Sequence, residues 1–238
     1  MPTLTFEKKG HLYMLDGKPM TGVTTVLSVI AKPALIPWAV KMATDYIKTN
    51  CKQDDLMRYL VNLADLEAAK SAHRKKKEEA GEKGQDVHKL AEDIIKQAIK
   101  DDGYLPPSLV SEDTQIQHFI DWAKNNSIKF VESEKQMYCD KDGLFVAGTV
   151  DLVFEKDCKT YIGDIKTYAK LWDRTPMLQC AAYGLMYQNM SGKQIDGYCV
   201  LLLTKTGEFK EQWSYYVEGD TKGFLAGYQL FNTLENWN

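Results

Sequence analysis

The stretch GTVDLVFEKDCKTYIGDIKT, residues 148–167, reads as two β-strands joined by a tight turn, and each strand carries an acid inside an otherwise apolar run. With residues 156–159 as the loop, Glu155 faces Thr160, and stepping back along both strands sets Asp151 opposite Asp164. Directly opposed residues of an antiparallel pair have β-carbons ~4.5–5.5 Å apart, where like charges destabilise the pair. A bound cation reverses that sign. Side chains alternate along a strand, so Asp164 and Lys166 project from one face while Ile165 points into the opposite layer. Two carboxylates and an ammonium therefore converge, and such an oxygen cluster suits Mg²⁺. A neutral imidazole from His88 would add a nitrogen ligand, which suits Mn²⁺ as well.

Outward from this hairpin, the runs KFVESEKQMYC (129–139), LFVAGTVDLVFE (144–155) and TYIGDIKTY (160–168) predict an antiparallel meander. Thr175 and Pro176 supply an N-cap and a first-turn proline for a helix over PMLQCAAYGLMYQNM. Two further strands follow around the Thr206–Gly207 turn, then a closing helix over 221–237. Upstream, residues 3–30 read as a hairpin with turns at Lys9–Gly10 and Asp16–Gly17, followed by TGVTTVLSVI, which begins a helix. Residues 37–81 are rich in Ala, Leu, Met, Lys and Glu and predict two or three helices. A further helix runs from about Gln85 to Lys100, with Val87, Leu90, Ala91, Ile94, Ile95 and Ala98 on its buried face and His88 in line with Ala91 and Ile95. Another covers about 111–125. The pattern predicts an α/β (α+β) fold with a central mixed five-strand sheet flanked by helices. It is read as one domain over 1–238, with a hairpin and helical part over 1–80 and a core over 81–238.

A chain of 238 residues with 44% apolar content fills a core. No apolar run reaches the ~20 residues that cross a bilayer, and the opening MPTLTFEKKG lacks a signal segment, so a soluble, cytoplasmic protein is expected. Five scattered cysteines indicate neither a disulfide framework nor a C-x-x-C knuckle. The net charge of −3 argues against holding nucleic acid by bulk electrostatics, so any phosphate contact is local. The one dense basic cluster, HRKKK at 73–77 with Arg74 and Lys75, reads either as a solvated helix face or as a phosphate-contacting arm.

Taken together, His88 in GEKGQDVHKLAE, Asp151 in GTVDLVF, Asp164 and Lys166 in GDIKT, and Gln179 and Tyr183 in QCAAY follow an order that resembles the PD-(D/E)xK nuclease superfamily, above all its RecB-like exonuclease branch with phage-encoded members. GVTTVLS resembles an N-terminal segment of those phage members. The motifs span about residues 81–187, and their joint order is far more specific than any one of them. Val150 stands where the superfamily name has proline, a position at which the RecB-like branch is loose. The cysteine cluster of the iron-sulfur members has no counterpart, so no iron-sulfur cluster is expected.

The resemblance implies a restriction-endonuclease-like core and a metal-dependent DNA exonuclease that hydrolyses phosphodiester bonds in recombination, replication or genome processing. It implies Asp151, Asp164 and Lys166 as catalytic residues, and His88, Asp151, Asp164 and the Ile165 carbonyl as ligands of Mg²⁺ or Mn²⁺. A lysine beside bound metal is expected to have a lowered pKa, which suits it to handle the attacking water. Gln179, Tyr183 and Thr167 are then DNA contacts, joined by Arg74 and Lys75, and the N-terminal part flanks the site as a guide for the strand. Core packing is the alternative reading of Tyr183. Glu134 is either an accessory to the metal or a solvent-facing strand residue. The implied partner is DNA, single-stranded or at duplex ends, and the superfamily accommodates homo-oligomers and recombination or replication partners but no membrane. The alternatives are a structure-specific endonuclease and a catalytically inactive nucleic-acid-binding protein on the same fold.

Overall fold

A computed structural model of the chain describes residues 2–7, 10, 12–168, 170–171, 173–204 and 207–235, with the side chains of residues 82 and 83 set aside. The expected turns at Lys9–Gly10 and Thr206–Gly207 and the end of the closing helix beyond residue 235 lie wholly or partly outside the described residues. The chain divides into two compact units, Ala31–Asp86 and a larger one formed by Met1–Ile30 with Val87–Asn238.

In the larger unit β1 (Leu4–Glu7), β2 (Leu12–Leu15) and β3 (Lys18–Gly22) form a meander that leads into the short α1 (Val23–Val26). The β2–β3 turn places Asp16 and Gly17 at φ +48° and +78°, the left-handed pair of a type I′ hairpin. The helix α4 (Thr114–Asn125) is capped by Asp113, whose carboxylate accepts from the Ile116 N–H. Then come β6 (Lys129–Lys141), β7 (Leu144–Lys156), β8 (Lys159–Lys166), α5 (Thr175–Ser191), β9 (Gly197–Leu203), β10 (Phe209–Ser214) and α6 (Val217–Glu235).

The fold is mixed α/β, a large mixed sheet flanked by helices. Instead of five strands the sheet has eight, because β3 pairs in parallel with β7 through Thr21↔Val146 and Gly22↔Ala147 and so brings in the hairpin. Residues 1–30 thus belong with the core and not with the helical segment that follows. Nothing local in KPMTG marks it as a sheet strand; its partner lies more than a hundred residues away in sequence. The meander is antiparallel as expected, β8 and β9 are parallel, and β9 and β10 are antiparallel. Two apolar cores cover the two faces. One joins Val146, Val150 and Ile162 to α5 and α6 through Cys180, Met186 and Phe224. The other joins Leu152, Phe154 and Ile165 to Ala91, Ile95, Phe119 and Trp122.

The smaller unit holds α2 (Leu35–Asn50), the short pair β4 (Lys52–Gln53) and β5 (Tyr59–Leu60), and the first half of α3 (Leu63–Lys100). Residues 37–81 thus hold two helical stretches with a small hairpin between them. α3 does not start near Gln85 but runs 38 residues, straight through Gly81 and Gly84. Each interior glycine costs only about 1 kcal/mol against alanine, and the turns on either side outweigh that. A further local difference falls at α5, where Thr175 is the first helical residue and Arg174 occupies the cap position, while Asp173 accepts from the Thr175 N–H at 2.7 Å. No helix among the described residues is long and apolar enough to cross a membrane.

Candidate active site

The β7–β8 register is Glu155↔Thr160 and continues to Leu152↔Gly163, so the next step sets Asp151 opposite Asp164. The two carboxylates do not lie flat against each other. Asp151 Oδ2 accepts the Ile165 N–H at 2.7 Å, which turns its carboxylate across the end of the ladder. Asp164 is fully buried, with Oδ1 bonded by Lys166 Nζ at 2.7 Å and Oδ2 without a hydrogen-bond partner. The close approach of the strands at this point depends on Gly163, since a β-carbon there would lie 2.6 Å from Leu152 Cγ.

On the other side of β7, the pairs Ser133↔Leu152 and Lys135↔Val150 place Glu134 opposite Asp151. Glu134 has φ +48°, a left-handed conformation that a non-glycine residue adopts at a cost. At the same level β7 changes its alternation. Val146 and Val150 face the α5–α6 core, whereas Leu152 and Phe154 face the α3–α4 core. Both strands therefore kink at the acids, and the kink brings Asp151 and Glu134 toward α3. His88 Nδ1 stands 3.7 Å from Asp151 Oδ2, and one ligand atom from each of His88, Glu134 and Asp151 lies within 4.8 Å of the others.

The electrostatics follow from this crowding. Burial pushes the Glu134 carboxyl up, and the Asp151 and Glu92 charges add to it, to about 7. Burial also raises Asp164; Lys166 pulls it back, Asp151 raises it further, and it stays well above the usual carboxylate range. For Lys166 burial alone would lower the pKa, but Asp164 and Asp151 outweigh it and hold the ammonium above its ordinary value. In the protein alone Lys166 is a firmly held cation. The imidazole of His88 with the carboxylates of Glu134 and Asp151 forms a donor set that fits a hard divalent cation, and the expected ligand Asp164 is not part of that set, its Oδ1 being held by Lys166.

The remaining expected residues divide. Gln179 bonds the Tyr183 hydroxyl through Nε2 at 3.0 Å, but Tyr183 is only 3% exposed and sits in the α5–α6 core, its ring against Gly148. Tyr183 is thus a packed core residue with no surface turned to a DNA backbone, as its sequence neighbours Ala182, Leu185 and Met186 allow. Thr167 follows the end of β8, half-buried. Arg74 and Lys75 are exposed on the part of α3 that belongs to the smaller unit. Glu92 is an addition that the sequence reading passed over: one turn beyond His88, it is held by Lys89 at 3.3 Å and by Lys96, and its charge reaches Glu134. The i, i+4 spacing from His88 is the signal that marks it. Tyr13 is another, its hydroxyl 2.9 Å from Thr149 Oγ1, tying β2 to β7 two residues before Asp151.

No family model matches the chain, and no curated protein matches it. Solved structures do, 22 chains of them. Among these is the crystal structure of SSO0001, similar at 13% identity over 52% of this chain with a TM-score of 0.34. The match takes in 58% of that structure's own length.

Proposed function

We propose that this chain is a metal-dependent DNA exonuclease of the PD-(D/E)xK, RecB-like kind, hydrolysing phosphodiester bonds at strand ends in the cytoplasm. The observation that carries the reading is Asp164: a buried carboxylate with one oxygen on Lys166 and the other without a donor, directly opposite a second acid, Asp151, across the β7–β8 pair. A divalent cation is one group that would offset the cost of burying that oxygen beside a second acid.

In this reading Asp151 and Asp164 hold a Mg²⁺ or Mn²⁺ ion, with His88, Glu134 and the Ile165 carbonyl as further donors. When bound, such an ion lowers the pKa of a water and offsets charge on the phosphoryl and leaving oxygens. The chain's own groups do the rest. Lys166, fixed as a cation by Asp164, is placed to donate to a phosphate oxygen and to orient the attacking water. The Ile165 N–H fixes the orientation of the Asp151 carboxylate, and the kink at Glu134 turns it toward His88. Gln179 is held by the core tyrosine, which sets its amide near the same strands.

The test is incubation of the protein with circular and with end-labelled linear DNA in Mg²⁺, Mn²⁺ or EDTA. Loss of linear DNA alone, dependent on metal, is the expected result. Cut circles would point to an endonuclease, and a gel shift without hydrolysis under any metal would point to a binding protein.

A further inference from the structure

We propose that two copies of this chain pair through the outer face of α2, as a twofold dimer of the smaller unit; the inference does not rest on the nuclease reading. The smaller unit holds its apolar surface outward. Among its described residues only Ala69 and Gly84 are buried, and eight of its large apolar side chains, from Leu35 and Ile36 to Leu63 and Leu66, are more than half exposed. They leave on the order of 800 Å² of apolar surface to water, above the ~300–600 Å² patch of an ordinary monomer and close to what each partner of a standard interface buries.

The spacing along α2 points to what covers it. One face is already engaged: Trp38 stands edge-on to His73 of α3 with ring centroids 6.4 Å apart, and Trp38 and Met42 are half-buried. A second apolar row, Ile36, Val40, Ala43 and Ile47, follows the four-three-four spacing of a coiled-coil seam, with Ile36 73% and Val40 59% exposed. Nothing charged flanks it. Pro37, Ala39, Thr44 and Tyr46 occupy the positions beside the seam, so an identical face meets no like charge there, and a nucleic-acid strand would find no cation on it for its phosphates. A twofold axis through the row runs the two helices antiparallel and pairs Ile36 with Ile47 and Val40 with Ala43 between the copies. The same axis sets the Leu35–Ile36 end of each helix beside the far end of the other, where the β4–β5 hairpin presents Leu56, Met57 and Leu60, each more than half exposed. Each exposed cluster then meets its counterpart in the second copy.

The test is sedimentation equilibrium of the whole chain, without metal or DNA, for the wild type, Val40→Glu, Ile36→Ser and Lys41→Gln, with far-UV circular dichroism of each. The wild type is expected at about twice the 27.1 kDa of one chain. Val40→Glu is expected to weaken the dimer by about a hundredfold, since it sets an acid from each copy into an apolar seam, and Ile36→Ser by about tenfold. Lys41→Gln, off the seam, should dimerise as the wild type does. Helix content equal to the wild type in the seam variants assigns their loss to pairing and not to folding. A wild type that stays at the mass of one chain, or a Val40→Glu protein as dimeric as the wild type, would overturn the interface. A monomeric wild type whose gel shift with single-stranded DNA is lost in Val40→Glu would overturn it as well and give the face to a strand.

Discussion

Lys166 Nζ lies 2.7 Å from Asp164 Oδ1, and both groups are withdrawn from solvent, with side-chain exposures of 20% and 1%. Removing one partner of such a pair strands the other. Lys166→Met is therefore expected to destabilise the fold by about 3 kcal/mol, and Asp164→Asn with Lys166→Met together to recover most of it, in urea unfolding of the four proteins of the cycle.

Chemistry should respond more sharply than stability. Asp164→Ala and Lys166→Ala are each expected to lower hydrolysis of linear DNA by about a hundredfold or more while a gel shift persists. Full activity in either variant would remove the proposed site.

The pH dependence has a definite sign. The Glu134 carboxyl stands at about 7 in the fold, pushed up by burial and by the Asp151 and Glu92 charges, above its ordinary value. Between the two values the folded protein binds more protons than the unfolded chain. The stability this group contributes is complete below its unfolded pKa and is lost as pH rises through about 7. Asp164 is displaced in the same direction. Without divalent metal, Tm is expected to fall as pH is raised from below 5 to about 8, and Glu134→Gln to flatten that fall. Mn²⁺ should restore Tm at the alkaline end.

Tyr183 offers a separate check on its role. Its hydroxyl is bonded to Gln179, and its ring leaves no room at Gly148, where an added β-carbon would lie 2.7 Å from Cε1. Tyr183→Phe is expected to cost about 1 kcal/mol in thermal unfolding, and Gly148→Ala about 1–3 kcal/mol through overpacking. DNA affinity of Tyr183→Phe should match wild type; a large loss would return Tyr183 to the DNA surface.

Much of this arrangement is legible in the chain before folding, and what is not has physical causes. The β7–β8 register follows from a turn length and from alternation, both local, so the opposition of Asp151 and Asp164 can be read directly. The hairpin's place in the sheet cannot, because β3 meets β7 across a long sequence separation and carries no strand pattern of its own. Gly81 and Gly84 look like helix breaks, yet the helix continues because propagation through a single glycine is cheap beside starting a new helix. Glu134 is ambiguous by alternation alone. Its direction is set by a left-handed φ and by a shared kink in two strands, neither of which side-chain type encodes. The upward displacement of Lys166 is likewise a property of two carboxylates brought together by the sheet, not of the D-x-K tripeptide.

Calorimetric titration of Mn²⁺ into the wild-type chain and into Asp151→Asn probes the account at its root. Saturable binding in the wild type, abolished by the substitution, is the expected result. An absence of binding in the wild type, or equal binding in both proteins, would contradict it.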